Sequence, residues 1–337
     1  MTIALTNICT RVSTPTTQLS SHASWKEIME YYRGVCPESL QKQYRAWCDG
    51  SSLDIAAEEI KAISIEESGE ELVDLKERHH DRISALPDPE PGRIYSSPEC
   101  NPGFAESSKV RRTLYERLEK MVTFLDELAP RFGREKGEIA IKLFEGCRSI
   151  ENQQALFDFL YQRLQEKEPC WALLQKAKAA ASSEEEKEKI DQQIAAFEKA
   201  LYSATSKWIS PVTNNIPPHA TGGAVDLRFF SRKTKQFIPT GGFSATVSGA
   251  EKAPTFSEES SLTTEIKLNR LYLVAAAAQA GLCNYLNEHW HFSCNDRYDA
   301  FYNGLPHASY GIVQIEQQGP GAAIFIDPAL PHWHNIP

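Results

Sequence analysis

His219-Ala-Thr-Gly222-Gly-Ala224-Val-Asp226-Leu-Arg-Phe-Phe230 reads as a glycine turn that runs directly into a strand. The strand is mostly apolar, so Asp226, set between Val225 and Leu227, is the anomaly in it. A buried carboxylate without a partner is costly, so this one must be solvated, hydrogen-bonded or bound to a metal. The two glycines allow the chain to fold back closely enough for His219 and Asp226 to share an ion.

Outward from this strand, helical and strand patterns are mixed along the chain. Val110 to Leu125 carries apolar residues at three- and four-residue intervals, the mark of an amphipathic helix. Ile139-Ala-Ile141-Lys-Leu143-Phe144 alternates and then becomes continuously apolar, as a half-buried strand does, and leads into a loop bearing Arg148. Asn152 to Leu164 reads as a helix, and Trp171 to Leu201 as two helices joined by a short turn, with Ser182-Ser183-Glu184-Glu185 as a start signal. The charges of that hairpin fit a solvated face. Ser261 to Ala280 is an apolar helix closed by Gly281, and Leu286 to Phe292 reads as a strand. Tyr310 to Ile315 and Ala322 to Ile326 read as late strands. The expected fold is α+β, a small and mainly antiparallel sheet with flanking helices.

Residues 25 to 86 are polar, with Ile28, Tyr31, Tyr32, Ile55, Ile60 and Ile63 at helical spacing. Pro87-Asp-Pro89-Glu-Pro91-Gly92 breaks any helix. The expected organisation is therefore a helical N-terminal extension over 1–90 and a main domain over 91–337, with a helical insertion at about 168–203.

Composition narrows the function classes. At 337 residues and 41% hydrophobic content, the chain can bury a full core. A net charge of −9 gives no field that would attract nucleic acid or an anionic membrane. The 8 cysteines show no Cys-x-x-Cys spacing, which points to reduced thiols rather than a zinc finger or a disulfide framework. The N-terminus lacks the pattern of a secretory signal, and no apolar run approaches the roughly 20 residues of a membrane helix. A soluble, cytoplasmic protein is expected.

Glu288-His289-Trp290-His291 supplies the remaining chemistry. With His219 and Asp226, it provides three metal ligands and a spare carboxylate, which is what a zinc hydrolase needs: three protein ligands and an open position for water. A regular strand sends Glu288 and His291 to opposite faces, so the segment needs a bulge or a twisted end. By periodicity, His289 is as good a ligand as His291.

The ordered set His219-x-x-Gly222-x-Ala224-x-Asp226 and Glu288-x-x-His291 resembles the signature of the zinc D-alanyl-D-alanine dipeptidase and carboxypeptidase family, the group that includes the VanX-type dipeptidases. Val110-Arg-Arg-Thr-Leu-Tyr-Glu-Arg-Leu, Gly146-Cys-Arg148-Ser, Ala280-Gly281-Leu-Cys-Asn284-Tyr285 and Tyr310-Gly311 resemble further family segments, so the likeness runs from about Arg93 to Val313. The resemblance implies one zinc ion per chain on His219, Asp226 and His291. It implies Glu288 as the proton carrier between attacking water and leaving amine, and Arg148 as the positive charge that stabilises the oxyanion. A small D-amino-acid peptide is the implied substrate.

Three positions depart from the family pattern. Pro217 stands where a Ser is frequent, and Glu-His-Trp-His replaces Glu-Trp-Trp-His, which adds His289 as a neighbour of the site. In Ile238-Pro-Thr-Gly-Gly-Phe243-Ser244, Ser244 occupies the place of an Asp that binds the substrate's amino group, and its loss removes a charge-assisted contact of about 1.5–3 kcal/mol. Asp296 is a candidate replacement. Ser244 and His289 are thus the candidate substrate contacts. The rival readings are a D,D-carboxypeptidase or endopeptidase on peptidoglycan-derived peptides, favoured by an open cleft, and a metal-containing binding protein without turnover.

Overall fold

Apolar residues in the N-terminal third fall where short helices can bury them. The computed structural model describes residues 19–48, 51, 53–85, 108–206, 209–212, 215–241, 262–315 and 323–326. Helix α1 (Trp25–Tyr31) starts in a capping box, in which Glu27 N donates to Ser24 Oγ at 3.2 Å and Ser24 N donates to Glu27 Oε2 at 2.7 Å. It buries Trp25 and Ile28. Helices α2 (Glu38–Cys48) and α3 (Glu58–Lys61) follow. The stretch read as helical also holds two strands, β1 (Leu72–Asp74) and β2 (Ile83–Ala85). Three residues are too few for strand alternation to show in a sequence.

Strand β3 (Lys109–Arg111) pairs antiparallel with β1 and leads into helix α4 (Arg112–Leu128), whose Leu114, Leu118, Met121 and Leu125 form its buried stripe. Strand β4 (Ile139–Glu145) and helix α5 (Ile150–Lys167) come next, then the expected hairpin, α6 (Pro169–Ala180) and α7 (Glu184–Ser206). The hairpin is zipped by Trp171 stacked on Phe197 with ring centroids 5.6 Å apart and by Lys178 paired with Asp191 at 2.6 Å.

Strand β5 (Ala224–Ser231) is followed by β6 (Gln236–Phe237), helix α8 (Thr264–Gln279), β7 (Cys283–Asn284), β8 (His291–Ser293), helix α9 (Arg297–Asn303), β9 (Ile312–Ile315) and β10 (Ala323–Ile326). Gly281 closes α8 with φ +86°, the left-handed cap that its position predicts. The central sheet runs β2-β4-β5-β8-β7, with β6 beside β5. All its pairs are antiparallel except β2 with β4. The fold is α+β.

The largest core cluster joins the sheet to α4, α8 and the N-terminal helices. Val225, Leu227 and Phe229 of β5 lie in the same buried cluster as Leu118 and Leu125 of α4, Leu271 and Val274 of α8, and Trp25, Ile28, Leu40 and Tyr44 of the N-terminal helices. Truncating any one of these large side chains to Ala should cost about 2–5 kcal/mol.

The expected strand over Leu286 to Phe292 is corrected. Strand structure begins at His291, and residues 286–290 form turns between β7 and β8. Glu288 N donates to Tyr285 O at 2.9 Å and His291 N to Glu288 O at 2.8 Å, so the segment spends its backbone donors internally rather than on a neighbouring strand. The Pro87–Gly92 boundary and Ser244 lie outside the described residues.

Candidate metal centre

Strand register gathers the site. Asp226 on β5 is directly opposite His291 on β8, and on its other side it pairs with Glu145 of β4 after a register shift between Leu143 and Glu145. Directly paired residues project to the same face, so Glu145, Asp226 and His291 form a row across three strands. His219 joins from a short 3-10 turn, Pro218–Thr221, that ends at Gly222 with φ +67°. Gly223, the next residue, has no room for a side chain. A Cβ there would lie 2.6 Å from the Cys294 carbonyl oxygen and 2.7 Å from the Tyr310 ring.

The turn bearing His219 is held from both sides. Arg111, fully buried, donates to Thr221 O at 2.8 Å, to Glu70 O at 2.6 Å and to both carboxylate oxygens of Glu67 at 3.1 Å, and its guanidinium stacks over Tyr310 at 4.7 Å. From the other side, Arg148 N donates to His219 O at 3.1 Å. The Gly146 carbonyl lies 2.8 Å from His219 Nδ1. A carbonyl only accepts, so Nδ1 carries the proton and Nε2 presents its lone pair to the cavity.

Three donor atoms converge there. His219 Nε2 is 3.3 Å from Asp226 Oδ1, His291 Nδ1 is 3.1 Å from the same oxygen, and the two ring nitrogens are 3.1 Å apart. Ligands about 2.0–2.1 Å from a tetrahedral centre lie about 3.3 Å from one another, so this nitrogen, nitrogen and oxygen set fits a zinc-sized ion without rearrangement. Among the described residues, His219, Asp226 and His291 form the group whose ligand atoms could hold a metal. His289 does not join them: its Nε2 lies 3.0 Å from Thr240 Oγ1. The choice between the two histidines that periodicity leaves open falls to His291, because a turn rather than a strand precedes it.

All three ligand candidates are buried, and their charges interact strongly. Burial works to raise the Asp226 carboxyl, but His219 and His291 hold it well below the ordinary range. Burial depresses His291, and Asp226 only partly offsets this. Burial, and next the Arg270 charge, push His289 well below its usual value, so it stands neutral beside Thr240, apart from the residues that line the cavity.

Glu288 Oε2 is 3.9 Å from His291 Nδ1. Burial, followed by the negative charge of Asp226, raises its carboxyl well above the ordinary value, while Arg148 pulls it down. A cation among the three ligands would cancel much of the Asp226 contribution and favour the carboxylate. Arg148 lies in the same cavity wall, fixed by Glu145, which accepts from its Nε and Nη2 at 2.6 Å each, and by Gln153 Oε1 at 2.6 Å from Nη1. Gln153 is itself tied to Ser210 O at 2.6 Å. Glu145 and Gln153 are absent from the sequence reading of the site, although an acid ending an apolar strand three residues before Arg148 is a signal in plain view.

The cavity measures about 440 Å³ with its open mouth included and is lined by Arg148, His219, Asp226, Glu288 and His291 together with Tyr285. Ile55 from the N-terminal segment, Ser206 at the end of the hairpin and Ile209 beyond it share the walls with Gln153, Ser210, Pro217 and Pro218. Among the described residues, no helix is long and apolar enough to cross a membrane.

Comparison with protein-family models and with curated proteins returns no match. Among solved structures the chain is similar to a point mutant of the vancomycin resistance D,D-pentapeptidase VanY from a VanB-type resistance cassette, in complex with Zn(II). That similarity spans 58% of this chain and 80% of the other, at 15% identity and a TM-score of 0.28. So distant a likeness carries neither fold nor activity across, and the functional reading rests on the residues of the site.

Proposed function

We infer that this protein is a zinc-dependent peptidase that hydrolyses a small D-amino-acid peptide, with D-Ala-D-Ala as the leading substrate. One observation carries the reading. A His-His-Asp donor set spaced for a tetrahedral ion shares a cavity with a half-buried carboxylate, Glu288, and a buried guanidinium, Arg148. His219, Asp226 and His291 would hold the ion. Zinc held there supplies Lewis acidity, which polarises a carbonyl and makes water a nucleophile near neutral pH.

The chain's own residues supply the rest. Glu288 takes a proton from the attacking water and returns it to the leaving amine, a task suited to a carboxyl that burial holds above its ordinary value. Arg148, immobilised by Glu145 and Gln153, presents a fixed positive charge to the oxygen that becomes negative in the transition state. Ile55, Tyr285 and Ile209 line the cavity and give a bound peptide apolar and aromatic surface to rest against.

A pocket of this size matches a short peptide, and a D,D-carboxypeptidase or endopeptidase acting on longer peptides is the alternative reading. The presence of both Glu288 and Arg148 favours turnover over simple binding. The test is hydrolysis of D-Ala-D-Ala, L-Ala-D-Ala, L-Ala-L-Ala and a D-Ala-D-Ala-terminated pentapeptide by zinc-loaded protein, with Glu288→Ala as the blank. Cleavage of D-Ala-D-Ala, lost by about 10²–10⁴-fold in the blank, is expected. Cleavage of the pentapeptide alone would replace the dipeptidase reading with the carboxypeptidase one. Zinc binding without any turnover would leave a binding protein.

A further inference from the structure

The N-terminal segment meets the Glu288 turn at two points. Gln43 on α2, itself buried, donates its side-chain amide to the Asn284 carbonyl. Asp54, in the loop ahead of α3, accepts from the Tyr285 hydroxyl at 3.3 Å and from Asn287 Nδ2 at 2.8 Å, both on the same oxygen, Oδ1. Asn287 Nδ2 also donates to the Tyr285 hydroxyl oxygen at 3.0 Å, which closes a small ring of bonds. Tyr285 and Asn287 precede Glu288 in the turn that carries it, and Glu288 N is anchored on Tyr285 O at 2.9 Å. Ile55, adjacent to Asp54, reaches the cavity wall beside Tyr285 and Glu288.

The ligand residues Asp226 and His291 are placed by strand pairing, whereas the turn 286–290 is tied to β5 at its far end, where Trp290 O accepts from Leu227 N at 2.9 Å, and Glu288 lies outside that pairing. Its orientation depends on its own internal bonds and on what braces it from outside. Asp54 is exposed and so has little packing role, which leaves the bonds to Tyr285 and Asn287 as its contribution. We propose that Asp54 is a positioning residue for Glu288, and that the N-terminal segment is in this way a working part of the site. The proposal rests on the peptidase reading for its kinetic consequence but not for its structural one. A displacement of about 1 Å in a reacting group can cost about 100-fold in rate, so partial loosening of the turn should be visible in kcat.

Two measurements on the full-length, zinc-loaded protein test this. The first is the kcat and KM of Asp54→Ala and Asp54→Asn on the peptide the wild type cleaves. The second is amide hydrogen exchange at Glu288 and His291, which needs no turnover. Asp54→Ala should lower kcat about tenfold with little change in KM and speed exchange at both amides. Asp54→Asn keeps an oxygen at the accepting position and should recover both properties. Asn287→Ala removes the other end of the brace and should reproduce the alanine pattern. Wild-type kcat and exchange in Asp54→Ala, a rise in KM alone, or an Asn variant as impaired as the Ala one would each overturn the proposal. If wild type cleaves no peptide, the peptidase reading fails by itself. Faster exchange in Asp54→Ala but not in Asp54→Asn would then uphold the brace, and unchanged exchange would overturn it.

Discussion

The floor of the cavity and its walls are secured by different kinds of bond. Asp226 and His291 are fixed by the register of β5 and β8, with Glu145 next in the same row. Ile55, Ser206 and Ile209 come instead from a loop, from the end of a helical hairpin and from just beyond it, all far from Glu288 along the chain. A sheet can change register only in whole residues, and each step moves every side chain to the other face. Loops move by degrees. The difference teaches that the chemical floor is close to all-or-none, whereas the walls that select a substrate can be tuned.

The largest effect should follow from breaking the floor. Asp226→Ala removes the oxygen that lies between His219 and His291. Even an outer partner of a metal ligand is worth about 10–100-fold in affinity, so loss of a ligand should exceed about 100-fold and take hydrolysis with it. Zinc content by elemental analysis checks this, and a variant that kept one ion per chain would show that the floor is not where the metal sits.

Next comes the junction of floor and wall. Arg148→Ala should lower kcat by about 10²–10³-fold through loss of oxyanion stabilisation. It also strands Glu145, which is 1% exposed, as an unpaired buried charge, a cost of about 3–5 kcal/mol in unfolding free energy. Replacing the pair together, Arg148→Met with Glu145→Leu, should recover the stability and leave the activity lost. Denaturant unfolding beside kinetics separates the two roles, and a double variant with recovered activity would remove Arg148 from the mechanism.

A smaller effect sharpens the comparison on the sheet side. Asp296 caps α9 by accepting from Asp299 N at 2.9 Å, while its Oδ2 is buried without a hydrogen-bond partner among the described residues. Burial raises its carboxyl to about 7. The unfolded chain ionises this group near 3.8, so between about pH 4 and pH 7 the folded state binds more protons. Stability should therefore fall as pH rises through that window, by at most about 1.4 kcal/mol per unit. Asp296→Asn keeps the cap and should flatten the slope, as unfolding at about pH 5 and about pH 8 would reveal.

The smallest effect lies farthest out on the wall. Lys178→Ala removes an exposed pair with Asp191 in the hairpin and should change stability by no more than about 0.5 kcal/mol, with kcat unaltered. A change in kcat would mean that the hairpin acts on the cavity over more than its Ser206 end.

Legibility in the sequence follows the same division. α4, β4, β5, α8 and the hairpin are readable because each is long enough to repeat its own period. Asp226 is conspicuous as an acid in an apolar strand, while Glu288 and Arg148 come into view through the resemblance to a zinc peptidase family rather than through any local pattern, and the structure brings all of them with His219 to one cavity. The turn before His291 is not: Leu286, Trp290 and Phe292 alternate with polar residues as a strand would, and the segment has no glycine or proline to announce a bend. Nor is the role of Asp54, which bonds a side chain 231 positions away and leaves no local pattern. Strands β1 and β2 escape notice because three residues cannot establish an alternation.

The direct pairing of Asp226 with His291 also bears on how much folded protein a cell would hold. An ion gripped by both residues exists only in chains with β5 and β8 correctly aligned, so its binding energy adds to the stability of those chains and to no others. Metal supply would then govern abundance as well as rate: a scarcity of zinc would thin the population of correctly folded molecules, and a burst of it would rescue chains still searching for their alignment.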